Sequence, residues 1–427
     1  MVETVFENIL LRVYNKICGQ MRVLQNVCVK NMTVKEKIMF NFRIPTRLIF
    51  GAGALNELNK WATLGKKALI TVSNGKSTKA NGYLDRTIAQ LEKAGAAWAV
   101  FDEIEPNPLK STVERGALAA RKNGCDFIVA LGGGSVMDAS KAIATMATSD
   151  GDLWDYVCGG TGKGRPIEKD PLPIIAITTT AGTGSEVDEY GVITNPETHE
   201  KIGFGGDIRL FPVVAIVDPE LMTTVPPKFT AYQGFDALFH STETYICNGA
   251  NEMSDMVSST AIKNIGTNLA AAVRDGKDIK ARTAVAWANT MSGYAMVSGG
   301  CTSEHSLEHA MSAYHQELPH GAGLIMISLA YYKHFIDAHV CDDRFVDMAK
   351  WLGKSDATKA EDFLTALADL QKACGVYGLK MSDYGITPEE FGTLSDNARS
   401  AMGGLFTRDR VDLSREDCIR IYERSYA

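Results

Sequence analysis

Short apolar runs alternate with helical stretches from residue 40 to about residue 225. Five runs are rich in Val, Ile, Leu and Ala and stop at turn residues, as buried strands do; they cover 67–72, 98–101, 126–131, 173–178 and 213–217. Stretches with helical spacing lie between some of them, at 83–93, 113–122 and 135–146. Strands that alternate with helices predict a parallel sheet covered by helices on both faces.

The pattern changes after residue 225. From there on the apolar positions follow helical spacing, and no run indicates a strand. Two helix starts carry capping-box residues, at 387–390 and 414–417. The sequence therefore predicts an α/β N-terminal domain over residues 39–225, followed by an all-α domain over residues 226–427.

Residues 1–38 differ from the rest of the chain. Apolar residues recur at helical spacing between Val5 and Ile17, which indicates an amphipathic helix or a disordered extension. The segment carries mostly basic charges but lacks the long apolar stretch of a signal peptide. Three interpretations stay open: a translation start at Met32 or Met39, a helix that docks a partner or a shell assembly, and a transit peptide.

Composition and charge exclude several classes of protein. The formal net charge is −7 and the pI is near 5.7, so we expect no nucleic-acid partner. No apolar run reaches the roughly 18 residues of a membrane span, so we expect a cytoplasmic protein without membrane contact. Nine cysteines without a CxxC pair indicate reduced thiols. Cys247 and Cys301 stand apart because they lie near the histidines described below.

Two glycine-rich turns follow predicted strands. The first is Gly-Gly-Gly-Ser at 132–135, with Asp138 on the helix that begins there, and the second is Thr-Thr-Thr-Ala-Gly-Thr-Gly-Ser-Glu at 178–186. Glycine lets the backbone approach a pyrophosphate, and a helix N-terminus offers free amides and a positive dipole end. Such a turn also serves packing alone. Two of them after parallel strands favour a dinucleotide site.

The end of the first predicted strand bears on the choice of dinucleotide. It has no Gly-x-Gly-x-x-Gly and no acidic residue; Ser73 stands there, followed by Gly75 and Lys76, with Lys79 nearby. An acid in this place would bind a ribose 2′-hydroxyl, and its absence tolerates a 2′-phosphate. The sequence therefore predicts NADP, with NAD as the alternative, and Ser73 as a cofactor contact. Solvated lysines without a ligand are the competing interpretation.

The strongest indication of a functional site comes from several histidines and one aspartate. Asp236 and His240 are four residues apart, as are His305 and His309, so each pair lies on one face of a helix. His320 follows in a Pro-His-Gly helix start. One carboxylate with several imidazoles is the donor set that a divalent first-row metal takes in proteins.

Two glutamates compete with these ligands. Glu304 and Glu308 also lie four residues apart, next to the second histidine pair, and we expect them on a different face of the helix. Mixed nitrogen and oxygen ligation suits Fe2+, Zn2+, Co2+ or Mn2+, and the general order of affinities favours zinc over iron. The ligand types alone therefore leave the metal open.

The chain from about residue 40 to its end resembles the iron-containing alcohol dehydrogenase family, including its butanol and 1,3-propanediol dehydrogenase members. The motifs that carry the resemblance lie at 50–53, 132–139, 178–186, 217–219, 236–240, 305–309 and 319–323. The resemblance implies metal ligands at Asp236, His240, His305 and His320, and an active-site histidine at His309. It implies cofactor contacts at Gly133, Gly134, Ser135, Asp138, Thr179, Thr180, Asp188, Lys201 and Leu221.

The resemblance also implies a function. It indicates a metal-dependent oxidoreductase that transfers a hydride between NAD(P)(H) and a primary alcohol/aldehyde pair, with Fe2+ as the metal and Zn2+ as the alternative. We expect a homodimer or larger homo-oligomer, and a docking partner for residues 1–38 stays open. Within this plan, residues 39–225 bind the nucleotide and residues 226–427 bind the metal, as in the architecture shared with dehydroquinate synthases.

Two other functions are weighed against this one. A metal-dependent lyase or cyclase of the dehydroquinate synthase type would need lysines and arginines near the metal for an anionic substrate, and the motifs around Asp236 and His305 contain none. A non-catalytic assembly component would need no metal.

Overall fold

The computed structural model describes residues 39–426. Eight strands are present in this range: β1 Arg47–Phe50, β2 Lys67–Ser73, β3 Ala97–Ile104, β4 Phe127–Gly132, β5 Ile174–Thr178, β6 Gly191–Asn195, β7 Glu200–Phe204 and β8 Val214–Val217. Six of them form a parallel sheet in the order β1-β8-β5-β4-β2-β3, and β6 and β7 form a separate antiparallel hairpin. The predicted parallel sheet is confirmed.

Fifteen α-helices occur in the described range. They are α1 Leu58–Trp61, α2 Ser77–Ala80, α3 Tyr83–Lys93, α4 Lys110–Asn123, α5 Gly134–Thr148, α6 Pro227–Ile246, α7 Glu252–Arg274, α8 Ile279–Gly299, α9 Glu304–Tyr314, α10 His320–Asp337, α11 Asp342–Trp351, α12 Asp362–Ala373, α13 Phe391–Ala401, α14 Gly403–Phe406 and α15 Arg415–Ser425. Short 3-10 helices lie at Ala54–Glu57, Leu153–Asp155, Ser185–Val187, Ile208–Leu210, Pro219–Met222, Met381–Tyr384 and Pro388–Glu390.

The central strands are buried on both faces, which explains their unbroken apolar sequences. Every residue of β4 and β5 is buried. Ile128 and Ala176 belong to the apolar cluster on one side of the sheet, whereas Val129 and Ile175 belong to the cluster on the other side. The sheet is therefore covered by packed side chains above and below.

The register of β4 and β5 brings the two glycine-rich turns together. Gly132 pairs with Thr178 at the carboxyl ends of these strands, and the Thr179 amide donates to the Gly132 carbonyl at 2.9 Å. A Cβ on Gly133 would lie 2.8 Å from the Thr180 side chain, so only glycine allows this close approach. The turns form one continuous edge beside the N-terminus of α5.

No strand follows β8 within the described residues, as predicted, and helices occupy the rest of the chain. Ser414 caps α15 in a capping box with Asp417, and Thr387 forms a capping box with Glu390. No helix among residues 39–426 is long and apolar enough to span a bilayer. The division into domains at residue 225 stays a prediction; the contacts group Arg43–Ala427 into one compact unit. The predicted extension, residues 1–38, lies outside the described residues.

Candidate metal and cofactor site

Three helices bring the predicted ligands to one point. Asp236 and His240 lie one turn apart on α6, His305 lies on α9, and His320 is the first residue of α10. The Asp236 Oδ1 atom lies 3.4 Å from His240 Nδ1 and 3.5 Å from the Nε2 atoms of His305 and His320. Ligand atoms of Asp236, His305 and His320 therefore converge, and the His240 ring lies against the same carboxylate oxygen.

Asp236, His240 and His305 are buried and His320 is partly buried, and their mutual charges shift their pKa values. Burial raises the pKa of the Asp236 carboxyl, but its interactions with the surrounding histidines, including the hydrogen bonds with His305 and His320, outweigh it and hold the pKa well below its usual range. Burial lowers the pKa of His240 to about 3, and the charge of His305 acts in the same direction. The site thus favours an ionised carboxylate beside a neutral His240.

Two buried glutamates contact the far nitrogens of two of these histidines. Glu243, on α6, contacts His305 Nδ1, and Glu308, on α9, contacts His320 Nδ1. A carboxylate in this position fixes the ring orientation and the tautomer of a metal-binding histidine. The sequence does not indicate either role, although each glutamate lies three residues after a histidine on the same helix.

The expectation for Glu308 was wrong, whereas the expectation for Glu304 was right. We expected both on a helix face away from the ligands, but Glu308 contacts His320 because α10 begins beside that face of α9. Glu304 points elsewhere, and its carboxylate accepts a hydrogen bond from the Tyr332 hydroxyl at 2.6 Å.

The residues present fit a divalent cation. His240 Nδ1 is buried, faces Asp236 and has no hydrogen-bond partner among the described residues. Such an orphaned nitrogen is costly unless it binds something. Three imidazoles and one carboxylate match the mixed donor set of first-row metals, and the outer glutamates complete the arrangement expected around such an ion.

A cavity of about 450 Å³ connects this cluster with the carboxyl ends of the strands. Four predicted cofactor residues line it: Ser135, Asp138, Asp188 and Lys201. The histidines that line it are His240, His305, His309 and His320. One space therefore joins the predicted nucleotide region to the predicted metal ligands.

The remaining predicted cofactor residues lie at or behind the strand ends. Gly133 and Gly134 form the turn into α5, Thr179 and Thr180 follow β5, and Leu221 is buried in the 3-10 helix after β8. Ser73 ends β2, two strands away from β5 in the sheet. None of these six is among the residues that line the cavity within the described range.

A buried lysine organises the acidic side of the cavity. The Lys141 ammonium, fully buried on α5, donates to the Ser185 carbonyl and hydroxyl at 2.8 Å each and to Asp188 Oδ1 at 2.6 Å. Asp138 accepts from the Ser185 hydroxyl at 2.7 Å and the Val192 amide at 3.0 Å, and burial raises its pKa to about 6. Lys141, one turn after Asp138 on the same helix, therefore anchors Asp188.

His309 lines the cavity next to the cluster. Its ring centroid lies 5.3 Å from that of His320, and its Nδ1 contacts the Met402 sulfur. Burial, followed by the charge of Lys201, lowers the pKa of His309 well below its ordinary value. A neutral imidazole at the cavity wall can accept or pass on a proton.

Basic residues also reach the cavity, which corrects one inference made from the sequence. Lys201 and Arg408 line it, although neither lies within the metal-binding motifs. The absence of basic residues from the motifs therefore does not by itself exclude an anionic substrate. Cys301 lines the cavity too, and burial raises its thiol pKa well above the usual value.

The end of β2 carries a compensated charge pair that the sequence did not indicate. Lys79, which we placed near the dinucleotide, forms an ion pair with Asp102 on the adjoining strand β3. Lys76 is exposed and forms no ion pair with any described residue. The Asp102 carboxylate near Ser73 is thus neutralised by Lys79.

A parallel sheet with glycine turns at its carboxyl edge, facing a buried carboxylate–histidine cluster across one cavity, is the arrangement of a metal-dependent, nucleotide-binding enzyme. Comparison with known proteins agrees. Residues 45–219 match the model of the iron-containing alcohol dehydrogenase family, and residues 230–426 match the model of its C-terminal region.

Individual relatives match over nearly their whole length. The chain is 33% identical to the 1,3-propanediol dehydrogenase of Citrobacter freundii (88% of this chain, 97% of that protein) and 33% identical to the probable NADH-dependent butanol dehydrogenase 1 of Bacillus subtilis (90% and 99%). Its structure is similar to that of an archaeal halo-thermophilic Red Sea brine pool alcohol dehydrogenase, with a TM-score of 0.86, 35% identity and coverage of 91% and 99%.

The chain belongs to the iron-containing alcohol dehydrogenase family. It is a metal-dependent oxidoreductase, and the comparisons do not favour the lyase or the non-catalytic alternative.

Proposed function

We propose that this chain interconverts primary alcohols and aldehydes with NADP(H) in preference to NAD(H), at an iron ion held by Asp236, His240, His305 and His320. The observation that carries the proposal is the single cavity that joins Ser135 and Asp138, beside the glycine turns, to the histidine cluster. Hydride transfer requires the nicotinamide and the substrate to share one enclosed space.

Different residues of the chain bind the cofactor and transfer the proton. A divalent ion at the cluster supplies Lewis-acid chemistry toward the substrate oxygen. The amides at the start of α5, with Ser135, favour the negative charge of the cofactor phosphates. Asp138, Asp188 and Lys201 line the cavity beside them and hold the cofactor by hydrogen bonds. His309 moves the proton between the substrate oxygen and solvent, as its neutral ring at the cavity wall permits.

The proposal names iron because the matched family is described as iron-containing. The donor set also accepts zinc, and general affinity favours zinc over iron. Anaerobic purification followed by elemental analysis distinguishes the two. An enzyme that is fully active with zinc and inactive with iron would contradict this part of the proposal.

The preference for NADP(H) rests on the end of β2. Ser73 stands where an acid would repel a 2′-phosphate, and exposed Lys76 is free to pair with one. The nearby Asp102 carboxylate is already neutralised by Lys79. A relative is named NADH-dependent, so the preference is a property we propose for this chain rather than for its family.

The proposal also covers the cellular compartment and the oligomeric state. The seven cysteines found free fit a reducing compartment, which supports a cytoplasmic enzyme. We further propose a homodimer or larger homo-oligomer, with residues 1–38 available to dock a partner. Light scattering on the full chain, compared with a chain that lacks residues 1–38, tests both points.

One experiment tests the central proposal. Butanal reduction is followed by the loss of NADPH or NADH absorbance, using protein loaded with Fe2+ or Zn2+ and metal-free protein. We expect turnover that requires the metal and a higher kcat/KM with NADPH. Metal-independent turnover, or none with any short aldehyde, would overturn the proposed function.

A further inference from the structure

Glu308 is a buried carboxylate that contacts two different parts of the site. It lies on α9 and is fully buried. Its Oε2 atom contacts His320 Nδ1 and also lies 3.3 Å from Lys201 Nζ. Its second oxygen, Oε1, has no hydrogen-bond partner among the described residues. One oxygen of Glu308 therefore contacts both His320, a predicted metal ligand, and Lys201, a predicted cofactor contact.

Lys201 depends on this carboxylate. The lysine comes from the hairpin strand β7, is only 4% exposed and lines the cavity. Its ammonium donates to Ser312 Oγ at 2.8 Å, and Glu308 is its single ion-pair partner in residues 39–426. An ammonium has three donors, so one remains for a ligand in the cavity. How strongly that donor binds depends on how far Glu308 neutralises the lysine.

His320 sits on the other side of the same oxygen. When Nδ1–H donates to Glu308, Nε2 keeps its lone pair, and Nε2 is the atom that faces Asp236 at 3.5 Å. Relative to a neutral His320 ring, a cation on Nε2 withdraws electron density, so Nδ1–H becomes a stronger donor. The carboxylate then shares more of its charge with His320 and less with Lys201.

We infer that Glu308 is a positioning residue that couples the metal site to the dinucleotide site. A metal on His320 strengthens dinucleotide binding because it leaves the Lys201 ammonium less neutralised. Since coupling between two binding sites is reciprocal, the dinucleotide strengthens metal binding by the same factor. The inference rests on the proposed function, which makes His320 a metal ligand and Lys201 a cofactor contact.

The test measures binding rather than turnover. NADPH affinity is measured by fluorescence titration of the metal-free and the Zn2+-loaded full chain, and Zn2+ affinity by chelator competition with and without NADPH. In the unmodified chain we expect each ligand to tighten the other at least about fivefold, the lower end of typical coupling between sites. In E308Q we expect that factor to fall below about twofold, and Zn2+ affinity itself to fall about 10- to 100-fold.

Two further variants sharpen the result. E308D keeps the charge but is one methylene shorter, so it cannot reach His320 and Lys201 together, and the coupling should fall while a carboxylate remains. E304Q is the matched control, because Glu304 is fully buried one turn earlier on α9 but accepts from Tyr332. E304Q should keep the coupling. Circular dichroism verifies that each variant is folded, and E308D serves as the test variant if E308Q does not fold.

Several outcomes would overturn the inference. It fails if zinc and NADPH do not tighten each other in the unmodified chain, or if E308Q and E308D keep the full coupling factor. It also fails if E304Q loses the coupling to the same extent as E308Q. These results differ from failure of the proposed function, which would appear as a chain that neither binds NADPH nor reduces an aldehyde in the presence of metal.

Discussion

Replacing Lys141 by methionine tests whether the charge network beside the cavity is as tightly balanced as its geometry indicates. The Lys141 ammonium lies 2.6 Å from Asp188 Oδ1, and both side chains are almost completely buried. Methionine fills a similar volume but carries no charge. The variant therefore leaves the Asp188 carboxylate buried, with the Tyr190 amide at 2.8 Å as its remaining donor among the described residues.

The size of the effect follows from this arrangement. Removing one partner of a buried ion pair costs about 3–5 kcal/mol, because the other charge is left uncompensated. The entropy of unfolding is about 2.1 cal/mol/K per residue, so 1 kcal/mol corresponds to roughly 1.2 °C in a compact unit of about 385 residues, and Lys141→Met should melt roughly 4–6 °C lower. The two Ser185 oxygens that lose their donor act in the same direction.

The pH dependence has a definite sign. Burial raises the pKa of Asp188 above its unfolded value, and Lys141 works against that rise. Without Lys141 the folded-state pKa rises further. A carboxyl whose folded pKa exceeds its unfolded pKa loses folded-state stability as the pH rises from the unfolded value through the folded one. The loss of folded-state stability in Lys141→Met, relative to the parent, should therefore be larger at pH 8 than at pH 5.

The assay is thermal unfolding followed by circular dichroism at both pH values. The double variant Lys141→Met/Asp188→Asn removes the orphaned charge and should recover most of the loss. The control is Lys333→Met, because Lys333 forms an exposed pair with Asp337, and exposed pairs contribute only about 0–1 kcal/mol. A Lys141→Met protein that melts within 1 °C of the parent, or a double variant that recovers nothing, would show that Lys141 does not stabilise the fold by neutralising Asp188.

Three further variants test the site. His320→Ala should keep its circular dichroism spectrum but lose stoichiometric metal and turnover, because one of four ligands is missing; full metal content would contradict the ligand assignment. Ser73→Asp should lower NADPH affinity about 10- to 100-fold relative to NADH. Two like charges about 4 Å apart near a surface repel by up to about 4 kcal/mol, and salt screening reduces this repulsion. An unmodified enzyme that prefers NADH would contradict the prediction. Deleting residues 1–38 should leave kcat and the melting temperature nearly unchanged; a deletion that unfolds the protein would place that segment in the core.

The parts of the fold that could be predicted are those with a strong local pattern. The strands β4 and β5 are buried on both faces, so their sequences are unbroken apolar runs and their predicted bounds differ by one residue at one or both ends. The strand β1 has only four residues and gives no such signal. The hairpin β6–β7 contains charged and polar positions, and it was missed for that reason. That hairpin nevertheless supplies Lys201.

The residues of the site also fall into those that local spacing predicts and those that depend on tertiary packing. Asp236 with His240 and His305 with His309 were predictable because a helix places residues four apart on one face. The contact between Glu243 and His305 spans 62 residues and depends on how α6 packs against α9, which no local spacing encodes. The ion pair between Lys79 and Asp102 likewise depends on the adjacency of β2 and β3 in the sheet.

The outer glutamates give a physical reason why the cluster requires a cation. Glu243 and Glu308 contact the Nδ1 atoms of His305 and His320, so once these rings lose the proton on Nε2, the lone pairs of both Nε2 atoms face Asp236. His240 Nδ1 faces the same carboxylate oxygen from 3.4 Å and has no hydrogen-bond partner among the described residues. Electron pairs that converge on one anionic oxygen repel one another, and burial removes the water that would screen them. A shared positive ion satisfies all of these atoms at once; without one, the raised pKa values of His305 and His320 favour protonated rings, but His240 Nδ1 is left unsatisfied.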